Sequence, residues 1–414
     1  MATARRVTVI GAGIVGVACA SYLQRDGHRV TLIDKGEPGR MTSFGNAGGI
    51  SPASVVPIGM PGMIKDVPKW LLDPDGPLYV RWSHLPRTLP WLVRFLALAT
   101  TKRVRKASRA LGELNGPTFE AFEPLLKAAR AEHLFHRTGQ LFVYRTKEGY
   151  EKDSLGHELR RATGRRIDVL DRHEIRQLEP ALAPIFEKGY FVPDNGHCKD
   201  PFALVQALAE RFQRDGGEIL RREALGFEFG PDGPRRIRTD ADELECEQVV
   251  IAAGIWSGKL AAELGTRVPL ESHRGYHVTI PEPGTMPRLM VFPVDYKFAI
   301  TPMAMGLRLA GTVELAGIDA PPNYERARVL IRLAKPILPG LKADTFTEWM
   351  GHRPCLPDML PIIGRSPRFA NVLFAFGHGH QGLLGASKTG QVIAELVGGR
   401  PPSIDLGPFR PERF

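Results

Sequence analysis

Cysteine is scarce in this chain, four in 414 residues, and Cys19, Cys198, Cys246 and Cys355 are scattered with no Cys-x-x-Cys pair. That spacing excludes a disulfide framework and supplies neither a zinc nor an iron–sulfur ligand set, so no metal is expected. Long apolar runs are missing too. The most apolar stretch, residues 89–99, falls far short of the ~20 residues that cross a bilayer, and Arg94 interrupts it. A leader segment also lacks room. The first strand pattern begins at Val7, leaving no space for a charged n-region and an apolar h-region, so the protein is expected to stay in the cytoplasm. Acidic residues are outnumbered by basic ones, 45 against 55, for a formal net charge of +10. The excess is mostly dispersed. Its densest run is Lys102-Arg103-Val-Arg105-Lys106 with Arg109, directly after residues 89–99. A helix with such a basic end packs on its own domain with a solvated tip, or else lies peripherally on the inner face of a membrane. No nucleic-acid module is appended, and no nucleic-acid partner is expected.

What is present is an ordinary globular composition, 43% hydrophobic and 24% charged, in a chain longer than one core usually serves. Two domains are expected. The informative stretch lies near the N-terminus, where an apolar strand (residues 7–10) runs into Gly11-Ala12-Gly13-Ile14-Val15-Gly16, a helix follows, and a second strand (residues 29–33) ends on Asp34. Gly11 suits the tight turn, Gly13 lets main chain approach a pyrophosphate, and Gly16 packs helix on strand, with the helix N-terminus stabilising phosphate charge. Asp34 suits ribose hydroxyls, and its charge repels a 2′-phosphate. NAD or FAD remains. Small residues then recur in Ser43-Phe-Gly-Asn46-Ala47-Gly48-Gly49-Ile50-Ser-Pro52, which cannot fill a core but lets backbone approach a flat ligand.

This second segment resembles the stretch beside the flavin ring in FAD-dependent D-amino-acid dehydrogenases, members of the wider D-amino-acid, glycine and sarcosine oxidase family. The similarity continues through Pro61-Gly62, Lys69-Trp70 and Pro77-Leu78 and returns in the last third. It implies FAD bound between an α/β Rossmann-type domain (residues 1–55, 197–268 and 350–414) and an α+β substrate domain with an antiparallel sheet (residues 56–196 and 269–349). Lys35, next to the ribose acid, joins the expected cofactor contacts. Helices are expected around residues 104–134 with a break at Pro117, a strand at 139–144, and a helix from Pro201 capped by Asp200. An adenine contact is implied near Ala224. The strand at 248–251 ends in Ala253-Gly254-Ile-Trp256, small residues that the family sets over the cofactor. Strands are expected across residues 270–315, among them one carrying Tyr276, a candidate site residue with a core tyrosine as the alternative.

The sharpest match is Gly351-His-Arg353-Pro-Cys-Leu-Pro-Asp358. In the family this arginine grips the substrate carboxylate, a task suited to a planar, permanently charged fork. A salt bridge to Asp358 is the structural alternative. Residues 371–397 read as a second strand, Gly377-His378-Gly379-His380-Gln381-Gly382-Leu383 and helix, but no acid-tipped strand follows, so a second dinucleotide is not expected. The helix N-terminus is expected instead at the flavin N1–C2=O edge, with the N–H groups of residues 380–383 as donors to charge that develops on reduction. His378 and His380 are candidates for substrate contact or for orienting the loop. Cys355 does not fall where covalent relatives carry their linkage, so FAD is expected to be non-covalent. The resemblance implies oxidation of a D-amino acid to a 2-oxo acid and ammonia, with electrons passed to a quinone, an electron-transfer partner or O2. Residues 399–414 and the Gly-His-Gly-His loop also resemble D-hydroxyproline dehydrogenases, which makes a cyclic imino acid the alternative substrate.

Overall fold

A computed structural model describes residues 4–414; residues 1–3, which open the expected cofactor segment, lie outside the described residues. The first sheet has six strands in the order Glu218–Arg221, Arg29–Asp34, Arg6–Ile10, Gln248–Ile251, Val372–Phe376, Ile362–Arg365. The first five are parallel and the last is antiparallel. Strict alternation explains why it is buried on both faces. Val7, Val9, Leu32, Val250 and Leu373 enter one apolar cluster, while Ile10, Ile33, Val249, Ile251 and Phe374 enter another on the opposite side. Helix Ile14–Arg25 packs on the first face against helix Gly382–Val397. Gly390 permits that contact, since a Cβ there would meet the Ala18 carbonyl at 2.6 Å.

The second sheet has nine strands. Its main path runs Thr347–Cys355, Glu271–Ile280, Gly306–Leu315, Ala299–Met303, Met290–Pro293, Gln140–Tyr144, Lys188–Val192, Asp168–Asp171, with Leu78–Val80 added beside Gly306–Leu315. One face is covered by helix Glu325–Ala334, whose Ala327, Leu330 and Ala334 pack on Val278, Ile280 and Leu309. The other face looks across the molecule toward residues 43–49. A small sheet of Gly49–Ile50, Gly196–Cys198 and Phe135–His136 ties the two parts together.

Two expectations about the division of the chain shift. Thr347–Cys355 pairs along its length with Glu271–Ile280, so the expected border at residue 350 falls inside a strand of the second sheet. Helices Thr101–Asn115 and Thr118–Ala129, expected in the substrate part, instead bury Leu111, Leu114, Phe119, Phe122 and Leu125 in the cluster beneath the first sheet. Their break does fall at Pro117. Asp200 caps helix Pro201–Arg214 through Phe202 N and Ala203 N, both at 3.0 Å.

Candidate active site

Between the two sheets lies a cavity of about 1500 Å³, larger than the few hundred Å³ that an ordinary small ligand fills. One end is built by the glycine turn. Gly11 holds φ +109°, and a Cβ there would sit 2.5 Å from the Ala252 carbonyl; a Cβ at Gly16 would strike the Gly11 carbonyl. Only glycine fits either place. Asp34 ends its strand beside this turn, with Oδ2 accepting from Ala12 N at 2.7 Å and Oδ1 from Gly36 N at 2.8 Å. Burial pushes the Asp34 carboxyl above its usual range, opposed by these two N–H donors. Lys35 stands over the Trp256 ring, 4.4 Å from its centre, and Ala224, Ala253 and Gly254 line the same end.

Residues 43–49 form the cavity's middle wall, and they are lashed to the second sheet. The Arg308 guanidinium donates to the Phe44 and Asn46 carbonyls at 3.1 and 2.8 Å, His277 Nδ1 to the Gly45 carbonyl at 3.2 Å, and Thr301 Oγ1 to the Ala47 carbonyl at 2.8 Å. Asn46 closes a turn by accepting from Gly48 N. Gly45 lies under the Trp349 ring, which a Cβ would meet at 1.9 Å. Burial pushes Arg308 down to about 10 and, with the Arg308 charge second, His277 to about 3, so at neutral pH the arginine is charged and the histidine is not.

Arg353 defines the far end. It comes from the edge strand, pairs in register with His273, and reaches over Gly275, where a Cβ would lie 2.1 Å from its Cζ. Its guanidinium donates to the Thr312 and Gly311 carbonyls at 2.8 and 3.2 Å. A bulge in Gly306–Leu315, opposite residues 274–276, presents both carbonyls, and Thr312 takes φ +51° to make it. A β-branched residue pays strain for that conformation. Among the described residues no carboxylate pairs with Arg353. Asp358, the alternative partner, instead accepts from Arg413 at 2.6 Å. Burial brings Arg353 down to about 10, which leaves it protonated at neutral pH.

A sequence model of the family described as FAD dependent oxidoreductase matches residues 6–396. The chain belongs to that family. FAD is accordingly its cofactor. This FAD-dependent oxidoreductase is 41% identical over 421 residues to a D-amino-acid oxidase of Bradyrhizobium diazoefficiens, covering all of both chains. It is 32% identical over 447 residues to a D-amino acid dehydrogenase of Paramagnetospirillum magneticum, covering 99% of each. In fold it is similar to L-proline dehydrogenase from P. horikoshii, with TM-score 0.74, 21% identity, and coverage of 100% of this chain and 98% of that one.

The cavity of this oxidoreductase suits that cofactor. A turn that no Cβ tolerates, a half-buried acid at the end of the second strand and a glycine-bearing helix end fit a dinucleotide with a flat ring. Of the expected contacts, Gly11, Ala12, Gly13, Ile14, Val15, Asp34, Lys35, Ser43, Asn46, Ala47, Gly49, Ala224, Ala253, Gly254, Trp256, Arg353 and residues 378–383 line it. Three expected contacts face elsewhere. Gly16 packs helix on strand, Gly48 is pressed on the Cys198 carbonyl, and Ile50 is fully buried in the first core. Ser43, expected beside the ring, lies at the first helix, where its Oγ accepts from Ile14 N at 3.0 Å.

Local geometry decides three further expectations, the first two in favour of the alternatives given for them. Tyr276 borders the cavity, but its side chain is buried in the core beneath helix Glu325–Ala334, its hydroxyl held by Glu314 and by Asn323 N; alternation on the strand puts it opposite His277. His378 is buried against Thr389 Oγ1 at 2.9 Å and pushed by burial to about 3, so it braces the loop. Gln381 N already donates to the His378 carbonyl at 2.9 Å, which removes one of the four N–H donors expected at the helix end. Gln381 also uses its side chain structurally, accepting from Asn115 and donating to the Ser54 carbonyl. His380 remains at the cavity with Nε2 unpartnered. Sequence reasoning missed Arg308, His277, Thr301 and His273. The alternation His273-Arg-Gly275-Tyr-His277 was the available signal, since it puts two imidazoles and a gap on one face of a buried strand.

Proposed function

We propose that this FAD-dependent oxidoreductase oxidises a D-amino acid to its imine, which hydrolyses to a 2-oxo acid and ammonia. The observation that carries the reading is Arg353, a half-buried cation that faces the cavity without an acidic partner. A desolvated guanidinium of this kind calls for a carboxylate, and the α-carboxylate of an amino acid supplies one. The names of the D-amino-acid oxidase and dehydrogenase relatives support the enantiomer and the substrate class. Bound non-covalently, FAD would supply the two-electron acceptor for the substrate's Cα hydride. The chain's part is to fix the substrate. Arg353 orients the carboxylate, the walls exclude water, and the start of helix Gly382–Val397 offers a positive dipole end to negative charge in the cavity. Residues 1–55, 197–268 and 350–414 form the proposed cofactor part, amended by the placement of strand Thr347–Cys355. A cyclic imino acid such as D-proline or D-hydroxyproline remains the alternative substrate, supported by the same cation. A panel of D- and L-amino acids and prolines assayed with an artificial dye under air and argon tests both.

A second reading concerns the electron acceptor. Ile64, Leu71 and Trp82 line the cavity and are nevertheless 56%, 40% and 73% exposed, so they stand at its mouth. Leu89 and Val93 are exposed nearby in sequence on helix Leu85–Leu98, whose other face buries Trp91 and Phe95. Lys65 and Asp66 line the same mouth, with Arg81, Arg87 and Arg94 nearby in sequence, so this mainly apolar rim suits peripheral contact with an anionic membrane from which a quinone is reduced. No described helix is long and apolar enough to cross a membrane. Co-sedimentation with anionic vesicles tests the contact, and a soluble protein partner or O2 is the acceptor if the enzyme stays in the supernatant.

A further inference from the structure

His273 is nine-tenths buried and makes no hydrogen bond through either ring nitrogen. Leaving a buried polar atom unpaired is costly, and native proteins rarely leave such groups without a reason. The ring does not drift. It is held edge-on by Trp91 with centres 4.8 Å apart, and the indole is itself fixed by donating to the Cys355 carbonyl at 3.3 Å. His273 lines the cavity, sits beside Arg353 in the strand register, and faces His380, whose ring centre is 5.9 Å away and whose Nε2 is also unpartnered. Three cavity groups therefore converge with one fixed cation and spare hydrogen-bonding capacity. Burial, with the Arg353 charge second, brings His273 down to about 3, so the imidazole is neutral and offers one N–H donor and one lone pair.

We propose that His273 is a substrate-contacting residue, donating one N–H to the carboxylate held by Arg353, with the unpartnered Nε2 of His380 accepting from the substrate amino group. An α-amino acid presents an acceptor and a donor on adjacent carbons, and two neighbouring neutral imidazoles complement that pattern. A cationic imidazole lacks the lone pair and would repel an ammonium group, and burial, with the Arg353 charge second, keeps His380 neutral. The inference rests on the reading that Arg353 binds the carboxylate.

The test uses FAD-loaded enzyme and the variants His273→Leu, His273→Asn and Arg353→Met. Three quantities are measured: KM and kcat for a D-amino acid, the Kd of a carboxylate lacking the amine (benzoate, followed by the flavin spectrum), and Tm without ligand. His273→Leu is expected to raise KM and the benzoate Kd roughly ten-fold while Tm stays equal or rises, because an unpartnered polar group has been removed. His273→Asn, which keeps a donor and an acceptor, should recover part of the loss. In the double variant with Arg353→Met, the two losses should combine to less than their product. An unchanged benzoate Kd with a lowered Tm in His273→Leu overturns the inference and makes the histidine structural; if that variant does not fold, an unchanged KM and Kd in His273→Asn overturns it equally. Wild-type enzyme that binds no carboxylate would instead overturn the Arg353 reading, and the inference with it.

Discussion

Withdrawing a guanidinium part-way from water without a carboxylate is costly, and at Arg353 two carbonyls from a strained bulge only partly offset that cost. The arrangement makes sense once an anion arrives from outside. Arg353→Met removes one partner of a buried charge pair and should lower kcat/KM by about 2–5 kcal/mol, roughly thirty-fold to several thousand-fold. It also leaves the Gly311 and Thr312 carbonyls unpaired, so Tm should fall too. Arg353→Lys keeps the charge without the fork and should recover only part of the activity. An amine lacking the carboxylate should be nearly indifferent to both substitutions in steady-state assays, and equal losses for both substrates would make Arg353 a structural residue. At the other end of the cavity, Asp34→Ala should weaken FAD by about 1.5–3 kcal/mol of charge-assisted hydrogen bonding, measured by titrating apoenzyme. Asp34 drew attention through the spacing of its strand, turn, helix and strand, and Arg353 through the likeness of residues 351–358 to the family's segment. His273 was not legible in the sequence, because its importance comes from having no partner, and that is decided by what surrounds it.

Elements were legible wherever a single segment carried its own pattern. The strand, glycine turn, helix, strand and acid at residues 7–34 fold as their periodicity dictates. The glycine motif at residues 377–382 differs from the first in that helix Gly382–Val397 is followed by no acid-tipped strand. Contacts between distant segments left no such trace. Nothing in residues 43–49 announces that Arg308 will bind two of its carbonyls, a pairing that exists only because Gly306–Leu315 crosses under that loop. Helices Thr101–Asn115 and Thr118–Ala129 were likewise visible as amphipathic but carried no address, and they joined the first core. Arg308→Met should free the loop at Phe44 and Asn46 and weaken FAD at least ten-fold, read by cofactor titration and by faster proteolysis near residue 45. A variant that holds FAD as tightly as wild type would show that the loop is fixed by Thr301 and His277 alone.

For the whole molecule, burial leaves a set of histidines neutral when folded. His273, His277 and His378 lie near 3, and His197 and His352 near 4, against 6.5 when free. Below about 6.5 the unfolded chain takes up protons that the folded one refuses, so stability falls as pH drops through the window from 6.5 toward 3. One unit below the free value, each such histidine costs about 1.4 kcal/mol. Tm should therefore decline steeply between neutral pH and about pH 5, and a flat profile would mean these rings are hydrated. The rim at the cavity mouth gives a second whole-molecule expectation: Trp82→Ser with Ile64→Ser should reduce binding to anionic vesicles several-fold while dye-coupled turnover in solution persists. The central claim, a flavin reduced by an amino acid whose carboxylate Arg353 holds, is tested most directly by bleaching the oxidised flavin band under argon. D-amino acids should bleach it rapidly in wild type and far more slowly in Arg353→Met at equal FAD content, while L-enantiomers and the decarboxylated amines leave it oxidised. Bleaching that is as fast with the amine as with the amino acid, or unchanged in Arg353→Met, would contradict the account.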